Sequence, residues 1–167
     1  MEIQSEKILA DFPEWHDLLT QGLSPLTFSF SLFKAAKAHA EDMLANGYFS
    51  GTSLDGRTFE NRIRETGYNL MNAGESIRIR CLGTCLADET AETNDRIKES
   101  ALNIFQKLFT RELQPSNTEP RNILNAGLKD AGISLVAGIS SDLGGICGDC
   151  VLLMVADFGL RSEQQTP

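Results

Sequence analysis

The sequence predicts an α+β fold, with helices packed on an antiparallel sheet. Three observations carry that expectation. Residues 30–46 and 93–113 repeat their apolar positions at helical spacing. Two later runs, 132–139 (GISLVAGI) and 151–158 (VLLMVADF), read as strands, the second apolar enough to be buried on both faces. Between them Cys147 and Cys150 bracket Gly148-Asp149, which reads as the two-residue turn of a hairpin.

Taken in order, residues 2–21 place Ile3, Ile8, Leu9, Phe12, Trp15, Leu18 and Leu19 on an irregular amphipathic helix, broken near Pro13. Residues 22–25 form a turn. Residues 26–33 (LTFSFSLF) alternate apolar and polar, which by itself signals a strand. The next segment is helical: Leu32, Ala36, His39 and Met43 share a stripe, widened by Ala35, Ala40 and Leu44. Asn46-Gly47 ends it as a left-handed cap would, and Tyr48 and Phe49 anchor the exit. Turn residues follow through Asp55-Gly56, and Thr58 can cap a short helix with Phe59 and Ile63 on its apolar side, closed by Gly67. Residues 69–72 are a link, and 83–88 fall in a loop. A second long helix carries Ile97, Ala101, Ile104, Phe105, Leu108 and Phe109 on one stripe, and the same geometry puts Glu112 inside that stripe. Residues 114–120 form a polar loop, 121–124 a turn, and 161–167 a solvated tail.

At 167 residues the chain suits one domain with a substantial core. No apolar run reaches the ~18 residues of a membrane helix, and no secretory signal is visible at the acidic N-terminus. A net charge of −8 argues against nucleic acid and anionic lipid surfaces as partners. The four cysteines form two close pairs, Cys81/Cys85 and Cys147/Cys150. Local disulfides, free thiols and a four-thiolate zinc site are all compatible with that spacing.

The run AKAHAEDMLANGYFSGTSLDGRTFENRIRETGY, with Ala73-Gly74-Glu75-Ser76-Ile77 after it, resembles the CAP superfamily of cysteine-rich secretory proteins, antigen 5 and pathogenesis-related proteins, its bacterial extracellular branch above all. Arg121-Asn-Ile-Leu124 and the two strands resemble the family's C-terminal half. The likeness spans residues 22–159, leaving 1–21 as an N-terminal helix and lead-in and 160–167 as a tail. It implies a three-layer α-β-α sandwich with a central antiparallel sheet, and a long helix starting near Phe30. It also implies an oxidising compartment, extracellular or periplasmic, in keeping with disulfides.

Members of that family line a cleft with two histidines and two glutamates, which in some of them holds a divalent metal. In this chain the first histidine position, after Tyr-Phe-Ser, is Gly51, and the second, before Arg-Asn-Ile-Leu, is Pro120. Glu75 keeps the acid of the Gly-Glu-Asn motif, and Glu112 keeps the acid three residues past a helical aromatic. Two carboxylates without imidazole suit zinc poorly and leave at most a weak calcium or magnesium site. No histidine stands ready as a general base, no nucleophile constellation is visible, and no cofactor is expected. Two roles are open to Glu75 and Glu112: an acid pair facing each other across a partly dry cleft, or acceptors of backbone N–H groups that fix the cleft wall. The expectation is a non-enzymatic binding or interaction domain taking a small apolar ligand, a peptide or a protein. The rival expectation is a hydrolase or weak divalent-cation binder that uses Glu75 and Glu112. A third reading gives partner recognition to the 81–92 and 114–120 loops.

Overall fold

Alternation along one strand organises the molecule. In the computed structural model, which describes residues 22–83, 91–114, 117–139, 143 and 150–162, that strand is one of the two inner strands of the four-stranded sheet the described residues form. The elements are β1 (Thr27–Phe28), α1 (Phe30–Asn46), α2 (Phe59–Glu65), β2 (Leu70–Gly83), α3 (Ala91–Glu112), β3 (Asp130–Ile139) and β4 (Cys150–Arg161). The sheet order is β1-β3-β4-β2. Strand β4 pairs antiparallel with both β2 and β3.

Side chains two apart on a strand share a face. Val151, Leu153 and Val155 therefore pack with Ala36, Ala40 and Met43 of α1. Their neighbours Leu152 and Met154 pack with Ile104 and Leu108 of α3. Ala156 and Phe158 meet Leu128 and Ile123 on that second side. Each large apolar side chain so buried contributes about 1.5–3 kcal/mol relative to exposure. A strand apolar on both faces needs a layer on each, which gives the three-layer α-β-α sandwich.

The strand signal and the helix signal over 26–33 both hold, in sequence. Thr27 and Phe28 form β1, Ser29 caps the helix through its side chain, and α1 begins at Phe30. Strand β1 pairs parallel with β3 at Asp130 and Ala131, so the sheet is mixed where a wholly antiparallel one was expected. Helix α1 crosses β3 closely enough that a Cβ on Gly132 would overlap the backbone of Leu32 and Phe33. Gly47 closes α1 in the left-handed conformation, φ 66°, its N–H donating to the Met43 carbonyl. Thr58 caps α2 with a capping box completed by Asn61.

Two expectations need correcting. Residues 70–83 form one long strand, which takes in the expected link at 70–72 and the start of the expected loop at Gly83: Ile77 and Ile79 face the α1 core while Arg78 between them faces the other way. Strand β4 runs on to Arg161, whose guanidinium holds the buried Asp130, so the tail starts later than expected. The expected N-terminal helix, the hairpin turn at 148–149, and Cys85 and Cys147 lie outside the described residues. Cys81 and Cys150, which are described, are not free thiols.

Candidate functional site

Glu75 lies on β2 directly opposite Asp157 of β4, so the two carboxyls share one face of the sheet. That face looks toward α1 and α2. Arg62 of α2 reaches down to it and closes an ion pair with Glu75, Nη2 to Oε2 at 2.5 Å, both side chains 5% exposed. The same guanidinium donates to the Gly51 carbonyl at 3.0 Å, to Ser53 Oγ at 3.2 Å and to the Arg57 carbonyl at 3.1 Å. Arg62 thus pins the turn between α1 and α2 onto the sheet. Gly51 sits against Glu75: a Cβ there would stand 3.2 Å from Oε1.

Asp157 is fully buried. Burial raises its pKa well above the usual carboxylate range, and the neighbouring Glu75 charge raises it further. Burial raises Glu75 as well, against the lowering pull of Arg62. One cation among two buried acids favours a single negative charge there, with Asp157 holding its proton.

Glu112 has different company. Its Oε1 accepts from the Asn122 and Ile123 amides at 3.0 and 3.2 Å, and its Oε2 from Leu124 N–H at 3.0 Å. It is buried, which raises its pKa, while the three N–H donors pull the other way. The carboxylate is the anchor of the 121–124 turn. Arg121 returns to the end of α3, donating to the Glu112 carbonyl at 2.8 Å. Pro120 stands exposed at the start of this turn, behind Glu119, which pairs with Arg78 and Arg111.

The structure therefore brings Glu75 and Gly51 together and gives Glu112 to the 122–124 backbone. Asn122 connects the two sets: its side-chain amide donates to the Glu75 carbonyl and to Ser76 Oγ, each at 2.9 Å. The carboxyl that faces Glu75 is Asp157. Three residues that matter here were not singled out in the sequence. Asp157 is the lone charge in an eight-residue apolar run, Arg62 sits beside Ile63 on the inner side of α2, and Asn122 lies in the Arg-Asn-Ile-Leu turn.

His39 is satisfied in the core rather than poised for chemistry. Its Nε2–H donates to the Ser50 carbonyl at 2.9 Å, and burial, with Arg62 nearby, lowers its pKa to about 4. The Tyr48 hydroxyl beside it donates to Asp42; burial and that bond push its pKa up to about 12. Among the described residues no three His, Cys, Asp or Glu side chains gather as a metal would require.

Comparison with known proteins supplies further findings. The sequence pattern of the cysteine-rich secretory protein family, CAP, matches residues 19–142. No curated protein matches the chain. An extracellular protein containing an SCP domain from Bacillus anthracis has a similar structure, with TM-score 0.53 at 18% identity. The match covers 97% of this chain, which spans 45% of the length of that protein. An outer surface protein from Borrelia burgdorferi is similar with TM-score 0.52 at 18% identity, covering 97% of both chains. These likenesses agree with the α-β-α sandwich. No described helix is long and apolar enough to cross a membrane.

Proposed function

The chain belongs to the cysteine-rich secretory protein family, and from that premise we propose that it is an extracellular or periplasmic binding domain without an enzymatic role. The observation that carries this reading is that both acids of the family cleft are already spoken for. Glu75 is neutralised by Arg62, and Glu112 is occupied by three backbone amides. Neither Gly51 nor Pro120 has a side chain that can ligate a metal or move a proton. What remains is a rigid platform whose partner is a small apolar ligand, a peptide or another protein. Pairing of the cysteines into disulfides belongs to the same reading and suits an exported domain.

The rival, a hydrolase or weak cation site on Glu75 and Glu112, draws on the raised pKa of each acid, since a carboxyl that keeps its proton can serve as a general acid. One experiment separates the two. The purified chain is dialysed to equilibrium against calcium, magnesium or zinc and assayed for bound metal and for esterase and peptidase turnover, alongside Glu75→Gln. The binding-domain reading expects substoichiometric metal and no turnover that depends on Glu75. One equivalent of metal, or a turnover abolished in the variant, would reverse it.

A further inference from the structure

For most of its length strand β3 is an unpaired edge. Strand β1 stops at Phe28, because Ser29 already caps α1, so it pairs with β3 at Asp130 and Ala131 alone. Thr27 and Ser29 donate to the Lys129 and Ala131 carbonyls, which fixes the backbone groups of β3 that point outward. The register against β4 runs to Ile139 without a shift. By alternation the N–H and C=O groups of Ile133, Leu135, Ala137 and Ile139 therefore point to the same outer side. None of them has a hydrogen-bond partner among the described residues.

Nothing on this edge discourages pairing. Edge strands of natural proteins are commonly blunted by a lysine, a proline or a bulge. Residues 131–139 (AGISLVAGI) carry no charge and no proline, and their pairing with β4 has no bulge. Gly132, Val136 and Gly138 face α1, so the outward-pointing residues set their side chains on the other face. There Ile133, Leu135 and Ile139 are 41%, 44% and 70% exposed, too much apolar surface for a strand facing water alone.

The occupant that fits this edge is a second copy of the same strand. The outward residues are symmetric about Val136, so a copy related by a two-fold axis there sets Ile133 opposite Ile139 and Leu135 opposite Ala137. Each outward N–H then meets an outward C=O, and the apolar side chains pair across the join. The copy's strand ends at Ile139, opposite Ile133, and so stops short of the slot that β1 fills. Charge does not oppose the contact locally, although the whole chain carries −8. The flank of α1 above the edge is marked by Phe33, whose ring lies against Phe28 of β1. One and two turns further along that flank, Lys37 and Glu41 form an ion pair at 3.2 Å and leave it without net charge.

We propose that the chain self-associates into a two-fold dimer through β3, which joins two four-stranded sheets into one continuous sheet. The surface lies across β4 from Glu75, so it stands or falls separately from the binding-domain reading.

The test uses the full chain. Sedimentation velocity from about 10 μM to about 1 mM should show a monomer giving way to a dimer. Amide hydrogen exchange reads the surface: at the higher concentration the Ile133, Leu135, Ala137 and Ile139 amides should slow by about tenfold or more. The inward Ser134, Val136 and Gly138 amides, already bonded to β4, should change little. Ala137→Pro removes an outward N–H where an edge strand tolerates proline, and should weaken the dimer by about tenfold or more. Leu135→Lys changes an exposed side chain and should weaken it likewise, a second route should circular dichroism show that the proline disturbs the fold. Leu102→Lys, at another exposed apolar position on α3, should leave the dimer as it is. A chain still monomeric at about 1 mM, outward amides indifferent to concentration, or a dimer undiminished in Leu135→Lys would each overturn the proposal.

Discussion

Replacing Glu112 with Ala removes the acceptor that the Asn122, Ile123 and Leu124 amides share. A buried donor left without a partner is unfavourable by about 1–3 kcal/mol. Asn122 N–H is buried and takes the full effect, whereas the other two are part-buried and water recovers some of theirs. Burial of the carboxyl is itself unfavourable, as its raised pKa records, and Ala relieves that cost. The balance is a loss of about 3 kcal/mol, near the size expected for breaking a buried network. For a chain of this length that lowers the melting temperature by about 6–12 °C. Thermal unfolding by circular dichroism reads the loss, and amide hydrogen exchange locates it. Protection should fall first at residues 122–124 and next at β2, since Asn122 holds the Glu75 carbonyl. A melting point within about 2 °C of wild type, with exchange at 122–124 unchanged, would refute the reasoning.

Three other substitutions probe the remaining layers. Gly132→Ala forces a Cβ into the Leu32–Phe33 backbone, which cannot rotate away, and should lose about 3 kcal/mol or more in urea denaturation. His39 titrates at about 4 when folded and at its ordinary value of 6.5 when unfolded, so the unfolded chain alone gains its proton as pH falls between those values. That proton removes up to about 3 kcal/mol; His39→Gln should lose correspondingly less stability over the same window, read as the difference in urea midpoints. Asp157 shifts the other way. Its pKa is raised in the fold, so its contribution is complete at acid pH and is lost as pH rises through the folded value. Asp157→Asn should flatten that decline and match or exceed wild type at neutral pH, checked by melting curves across pH.

Much of the architecture could be read from residue spacing. The Leu32–Met43 stripe, the Asn46-Gly47 cap, the Thr58 cap and the two late strands rest on local rules, and all reappear in the folded chain. Strand β2 was missed although Ile77 and Ile79 alternate with Arg78 and Arg80, because Asn72, Gly74 and Ser76 ahead of them look like loop. The site was harder. Which carboxyl faces Glu75 depends on the β2–β4 register, a pairing between residues far apart in the chain that no local pattern encodes. For the same reason Glu112, correctly placed on the inner stripe of α3, could not be matched to its partners, which are main-chain amides and carry no side-chain signature.

The closeness of Gly51 to Glu75 also bears on what position 51 could be made to carry. A side chain installed at position 51 would place its Cβ 3.2 Å from an oxygen of Glu75, whose charge already answers to Arg62. Releasing that acid means removing Arg62, and Arg62 also ties down Gly51, Ser53 and the Arg57 carbonyl, the very loop that would carry the new ligand. Each single step along that path leaves the protein either unable to use the new side chain or without the scaffold to aim it. Placing a working side chain at position 51 is therefore a problem of ordering several changes, and a designer would begin by re-anchoring the loop.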